Sequence, residues 1–134
     1  MDVAVLGGTG TIGRVVVQEL AERGHDVRVL SRRPAAGPGT HFPVDLRTGE
    51  GLAESLAGTD VVVDASNPAS PRKDAAAAVL VEGTRNLLEA ELAAGIGHHV
   101  QISIVGIEAI PYAYHRLKVQ QERAVAESGL SWSV

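Results

Sequence analysis

A short apolar run, Val3-Ala4-Val5-Leu6, ends in glycines at positions 7, 8, 10 and 13, and the amphipathic segment Arg14 to Arg23 comes directly after. The glycines read G-x-x-G-x-x-G from Gly7 and G-x-G-x-x-G from Gly8. A strand, a glycine turn and a helix in that order form the context in which the motif means dinucleotide binding. The first glycines permit a tight turn and positive φ. Gly10 leaves no Cβ between backbone and a pyrophosphate, and Gly13 lets the helix pack closely. The helix start then offers free N–H groups and the positive end of its dipole to an anion. Thr9, Thr11 and Ile12 fill the remaining positions of this turn.

Composition narrows the class. With 134 residues and 45% hydrophobic content, the chain suits one domain with a real core. A net charge of −4 provides no overall basic field for nucleic acid or an anionic membrane. The absence of cysteine removes disulfides, thiolate metal sites and cysteine nucleophiles. No apolar run is long enough for a membrane span and no signal peptide is visible, so a cytoplasmic location is expected.

Apolar runs and helical stretches alternate along the chain. Val3 to Leu6 reads as strand 1, Thr11 to Arg23 as a helix closed by Gly24, and Asp26 to Leu30 as strand 2. Ser31 to Thr40, with two prolines and two glycines, reads as loop. His41 to Val44 is a weak strand 3, Glu50 to Leu56 a short helix, and Asp60 to Ala65 a β-branched strand buried on both faces. A long helix is expected over Asp74 to Ala94, strand 5 over His99 to Val105, a helix over Pro111 to Ser128, and the opening of strand 6 over Leu130 to Val134. Parallel strands joined by crossover helices predict a doubly wound α/β sheet of order 3-2-1-4-5 with strand 6 beyond. Ligands then bind at the carboxyl ends of the strands, where the order reverses between strands 1 and 4.

Cofactor flavour is decided by the residues just after strand 2. An NAD-preferring site places an acid there, roughly 20 residues beyond the glycines, to accept from the ribose 2′-hydroxyl. This chain has Ser31-Arg32-Arg33. A guanidinium clamps a 2′-phosphate that a carboxylate would repel, so NADP(H) is expected to be preferred, with NAD(H) possible. Arg32 is the leading residue, with Arg33 and Ser31 in support. Asp45, after strand 3, either accepts from the adenine amine or caps a turn. Ala65, Ser66 and Asn67, after strand 4, lie where ribose or nicotinamide should pass, although Ser-Asn-Pro is also an ordinary turn.

The glycine turn, Leu30-Ser31-Arg32-Arg33-Pro34, Glu82-Gly83-Thr84-Arg85-Asn86-Leu87-Leu88-Glu89-Ala90, and Gln101-Ile102-Ser103-Ile104-Val105-Gly106 followed by Tyr114-His115-Arg116-Leu117-Lys118 together resemble the short-chain dehydrogenase/reductase superfamily. The extended and atypical branches are most similar, and the NmrA-like NAD(P)H-binding group above all. The resemblance covers essentially the whole chain. It implies a nicotinamide cofactor, a Rossmann core and, for many members, reduction of small carbonyl, quinone or enone compounds. Two positions depart from the extended pattern: Leu80 stands where an asparagine is usual, and Ile104 replaces a second serine.

Tyr114 and Lys118 stand four apart, which puts them on one helix face. Hydride arriving at a carbonyl carbon leaves charge on oxygen, and an acid must answer it. A tyrosine, of pKa about 10, serves only if a cation stabilises its phenolate. Lys118 supplies that charge and, as the resemblance implies, also holds the nicotinamide ribose. Ser103, at the end of strand 5, would orient the substrate oxygen. Tyr112 is a competing phenol. A non-catalytic redox-sensing module that binds NADP(H) is the alternative, and a sugar-nucleotide epimerase-type domain a third reading, disfavoured by Leu80 and Ile104.

His98 and His99 are adjacent on a strand and point to opposite faces, and His41 and His115 fall on other elements, so no metal site is expected. The whole chain is expected to be one NAD(P)-binding domain, with the substrate-binding part seen in the family lying beyond Val134. That would expose a sheet edge and apolar faces and favour a homo-oligomer.

Overall fold

A computed structural model describes residues 1–68, 72–104 and 113–134. Its strands are β1 (Asp2–Leu6), β2 (Asp26–Ser31), β3 (Thr40–Pro43), β4 (Val61–Asp64), β5 (His98–Gln101) and β6 (Trp132–Ser133). They form one sheet of order β3-β2-β1-β4-β5-β6 with every pairing parallel. This is the doubly wound arrangement the alternation predicts. The helices are α1 (Thr11–Glu22), α2 (Leu52–Leu56), α3 (Lys73–Ala77), α4 (Thr84–Ala94) and α5 (Ala113–Glu127).

Period-two alternation sorts the strand residues onto two faces. Val3, Val5, Val27, Val29 and Val63 form a cluster with Val17 of α1. Ala4, Leu6, Leu30 and Val62 point the other way, onto Leu52 and Leu56 of α2 and Leu87 of α4. α1 ends where Gly24, at φ 84, takes the left-handed conformation that lets its N–H and that of His25 bond back to Ala21 and Leu20.

Several boundaries differ from the sequence expectation. The short helix begins at Leu52 because Gly51, at φ 86, and the turn at Asp45–Glu50 occupy the preceding residues. β5 runs from His98 to Gln101 and then leaves the ladder at 102–104; Val105, Tyr112 and the predicted helix start at Pro111 lie outside the described residues. The expected long helix runs from Lys73 to Ala94 but opens into a π-helical turn over Ala78–Gly83, which periodicity did not disclose. Such a turn frequently accompanies a functional site. At Gly83 a Cβ would stand 3.1 Å from the Leu46 Cβ and 3.3 Å from the Ala78 oxygen, so the widened turn and the missing side chain together admit a neighbouring loop.

On the face that meets α4 and α5, one rung changes character across the sheet. Leu30, Leu6, Asp64 and Gln101 are in register, and Val62 pairs with His99 on the same face. The first half of the rung is aliphatic, whereas Asp64, Gln101 and His99 are fully buried polar groups. His99 Nδ1 meets Glu91 Oε1 of α4 at 2.7 Å, with both side chains 0% exposed. Its Nε2 lies 3.2 Å from Gln101 Oε1. Burial pushes Glu91 up from the usual carboxylate range. Burial alone would pull His99 down, but the bond to and charge of Glu91, the charge of Asp64 and the Gln101 bond together outweigh it and raise the imidazole. Both directions mean that the pair retains a proton as pH rises.

That gives a signed expectation. A group raised in the folded state contributes stability below its unfolded pKa and loses it as pH climbs through the folded value. Urea denaturation should therefore show stability falling as pH rises above 4.5, the ordinary glutamate value, and further above 6.5, the ordinary histidine value. Glu91→Gln should flatten this slope and cost about 3 kcal/mol where the wild type is most stable.

Candidate functional site

The strand ends converge on one cleft of about 690 Å³. Gly7 follows β1, Ser31 and Arg32 lie at and beyond the end of β2, Asp45 follows β3, Ala65 to Asn67 follow β4, and Ser103 follows β5. All of these border the cleft, together with Thr9, Gly10, Thr11, Ile12, Tyr114 and Lys118. Three predicted site residues, Gly8, Gly13 and Arg33, are not in its wall.

Those two glycines work from behind. A Cβ on Gly13 would stand 2.0 Å from the Gly7 oxygen, so only glycine lets the first turn of α1 meet the end of β1. A Cβ on Gly8 would stand 2.7 Å from Val29 Cγ1; its φ is not positive, so space rather than conformational freedom is what this position demands. Gly7 needs both: its φ is 68, and a Cβ would press within 2.7 Å of the Ala65 oxygen. At Gly10 a Cβ would meet only the Gly7 oxygen, at 3.3 Å, which leaves the ligand side of the turn clear. The N-cap of α1 is Gly10, which has no side chain to cap it, and no acid stands in the first turn. Its leading amides and dipole are thus available to an anion. The cradle fits a dinucleotide pyrophosphate.

At the β2–β3 end, the Ser31 hydroxyl donates to the Arg33 carbonyl at 2.6 Å, and His41 Nε2 lies 3.0 Å from Ser31 Oγ. Arg32 faces the cleft from this turn. Asp45 accepts from the Arg47 backbone N–H and holds its guanidinium through Nε at 3.2 Å and Nη2 at 3.1 Å. The Arg47 hydrogen bond is the leading reason the Asp45 carboxyl sits below its ordinary range, and the charge of Arg32 adds to it. Asp45 is therefore a turn-capping carboxylate that already carries a cation.

Sequence reasoning missed other parts of the wall. Leu46 and Arg47 border the cleft, as do Ala75, Ala78 and Val79 of the α3 and π-turn segment. Asn86 of α4 donates through Nδ2 to the Leu46 carbonyl at 2.8 Å and the Arg47 carbonyl at 3.3 Å. Gly83 and Asn86 thus dock the loop after β3 onto the long helix. The signal was present in the Gly83-Thr84-Arg85-Asn86 run, to which spacing alone attaches no purpose.

At the other end, the Tyr114 hydroxyl donates to Asn67 Oδ1 at 2.7 Å, and burial raises its pKa. Lys118, buried, donates from Nζ to the Ile102 carbonyl at 2.9 Å and to Gln121 Oε1 at 2.5 Å. Burial lowers the Lys118 pKa; the charges of Asp64 and Glu122 act against that. The Ser103 hydroxyl donates to Glu122 Oε1 at 2.5 Å. The three residues expected to carry chemistry share one wall, and each is tied to a group that the sequence does not pair with it.

His98, expected to face away from His99, does so: its ring bonds Ser131 and Ser133 beside β6. Among the described residues no cluster could hold a metal ion, and no helix is long and apolar enough to cross a membrane.

A doubly wound sheet with a glycine cradle at its switch point is the architecture of nicotinamide dinucleotide-binding proteins. Residues 7–134 match the family model described as NAD(P)H-binding, and the chain belongs to that family. It is 31% identical to a 3-beta-hydroxysteroid dehydrogenase from Mycolicibacterium neoaurum, over 92% of this chain and 42% of the dehydrogenase. It is 32% identical to the photosystem II assembly factor Ycf39 of Synechocystis, over 100% of this chain and 43% of the factor. The chain thus spans less than half the length of these relatives. Among solved structures, a short-chain dehydrogenase/reductase superfamily protein from Agrobacterium tumefaciens with bound NAD superposes with a TM-score of 0.82 at 28% identity, covering 93% of this chain and 44% of that one. MoeE5, in complex with UDP-glucose and NAD, superposes with a TM-score of 0.82 at 26% identity, covering all of this chain and 52% of that one.

The docked loop provides a direct check of the unanticipated contact. Asn86→Ala should destabilise the fold by about 1–2 kcal/mol and speed amide hydrogen exchange at Thr48 and Gly49, whose N–H groups close the Asp45 turn, with little change at β1.

Proposed function

We propose that the protein is an NADP(H)-binding oxidoreductase in which hydride passes between nicotinamide and a small carbonyl- or quinone-like substrate. The observation that carries this reading is the shared cleft: a tyrosine, a lysine and a serine border the same cavity as the glycine cradle. In this reading Gly7, Gly10 and the first amides of α1 bind the pyrophosphate. Arg32 meets a 2′-phosphate with Arg33 and Ser31 shaping its turn, and Ala65, Ser66 and Asn67 border the path toward the ribose. Tyr114 delivers a proton to the substrate oxygen. Lys118 is the cation that eases that proton transfer, because an ammonium close to a phenolate stabilises it. Ser103 steadies the oxygen once its hydroxyl turns from Glu122.

A second reading is favoured by a specific observation: Tyr114, Lys118 and Ser103 all have internal partners. A cleft whose tyrosine, lysine and serine already have partners inside the protein suits a module that binds NADP(H) and senses its redox state without turnover. The kinship with an assembly factor supports that reading as well.

Two variants separate these readings and test the cofactor preference. Tyr114→Phe should keep NADPH affinity within about two-fold yet lower turnover on a carbonyl and quinone panel about 100-fold or more. Wild-type protein that binds NADPH and consumes it with no member of the panel supports the sensor instead. Arg32→Glu should weaken NADPH about 10- to 100-fold relative to NADH in fluorescence titrations, since it replaces a clamp with a repelling charge. An unchanged ratio removes Arg32 from 2′-phosphate recognition.

A further inference from the structure

Gln121 is fully buried beneath the cleft, one turn along α5 from Lys118. Its amide has two distinct ends, and each has fixed company. Nε2 donates to Thr84 Oγ1 of α4 at 3.1 Å and reaches Asp64 Oδ2 of β4 at 3.5 Å. Oε1 accepts from Lys118 Nζ at 2.5 Å. A carboxylate can only accept, so Asp64 requires the NH2 end of the amide and thereby turns the carbonyl toward Lys118. Asp64 is itself held, accepting at Oδ1 from the Ser66 backbone N–H at 2.9 Å and the Ser66 hydroxyl at 2.5 Å. The relay therefore starts in the segment after β4 that borders the cleft and returns to the cleft through Lys118.

We propose that Gln121 is a positioning residue: oriented by Asp64 and Thr84, it fixes where the Lys118 ammonium sits and offers it a neutral carbonyl rather than a carboxylate. The assignment rests on the reading of Lys118 as the cation of the site. An ammonium has three donors. The Ile102 carbonyl and the Gln121 carbonyl take two of them, and a third is left for a ligand on the cleft side. Neutral acceptors hold the cation in place without cancelling its charge, so the field reaching Tyr114 and a bound ribose is preserved. A carboxylate at the same point would neutralise it. Among the described residues, the charged and titratable groups near Lys118 include Asp64 on β4, Tyr114, His115, Arg116 and Glu122 on its own helix, and the Glu91–His99 pair between α4 and β5 behind the Gln101 side chain. On the helix that packs against α5, Asp74 and Glu82 are exposed.

The chain has only two lysines, Lys73 and Lys118, so Lys73→Arg leaves one ammonium to observe. In that background, with the full chain and no cofactor, the Lys118 titration can be followed by NMR of a 13Cε-labelled lysine. Gln121→Leu removes an acceptor from the charged form, and the midpoint should fall by about one pH unit. Gln121→Glu substitutes a carboxylate, and the midpoint should rise by a similar amount. Both variants deprive Asp64 Oδ2 of its amide donor; should one fail to fold for that reason, the other carries the test. A midpoint unmoved in the folded variants overturns the proposal. The catalytic reading fails separately, on undiminished carbonyl or quinone turnover by Tyr114→Phe; neither result decides the other.

Discussion

Everything in the cleft depends on a place where backbone meets backbone with no side chain between. The Gly7 carbonyl touches the start of α1 at Gly13, while the Gly7 α-carbon faces the Ala65 carbonyl beyond β4. Neither contact survives a Cβ. Because β1 and β4 are adjacent in the sheet, this double approach sets the width of the crevice at the point where strand order reverses. The helix start, with no cap of its own, is thereby presented to the crevice rather than buried against the strand.

The second organising feature is the polar half of an otherwise aliphatic layer. Asp64 pairs with Leu6 and with Gln101, and His99 with Val62, so the polar groups continue an aliphatic layer. Buried polar groups of this kind are tolerated only when their partners are also buried and fixed. Glu91 and Gln121 supply those partners from α4 and α5. The same contacts that satisfy the layer also determine how the two helices seat on the sheet, and with them the positions of Tyr114 and Lys118. Stability and site geometry are thus one arrangement on this side of the molecule.

The fold was legible because its signals are local and repeated: the glycine turn, β-branched runs and helix-stopping glycines each act within a few residues. The cleft wall was legible for a related reason, since a doubly wound sheet places every strand end on one edge. What escaped the sequence was pairing over distance. Nothing in Asp45 announces that Arg47 already occupies its carboxylate. Nothing in Tyr114, Lys118 or Ser103 reveals Asn67, Gln121 or Glu122 as partners. The π-helical turn was hidden for a different reason. An alanine- and valine-rich segment reads the same whether its turns are tight or wide, and the difference becomes visible only where Leu46 enters beside Gly83.

That short run on the long helix reaches both extremities of the crevice. Gly83 and Asn86 grip the loop that carries Arg47, while Thr84, wedged between them in sequence, anchors the amide beneath Lys118. One stretch of helix thus ties the loop after β3 to the amide that meets Lys118. A change in that loop would therefore pull on the lysine's anchorage, and the two poles of the crevice cannot be altered independently.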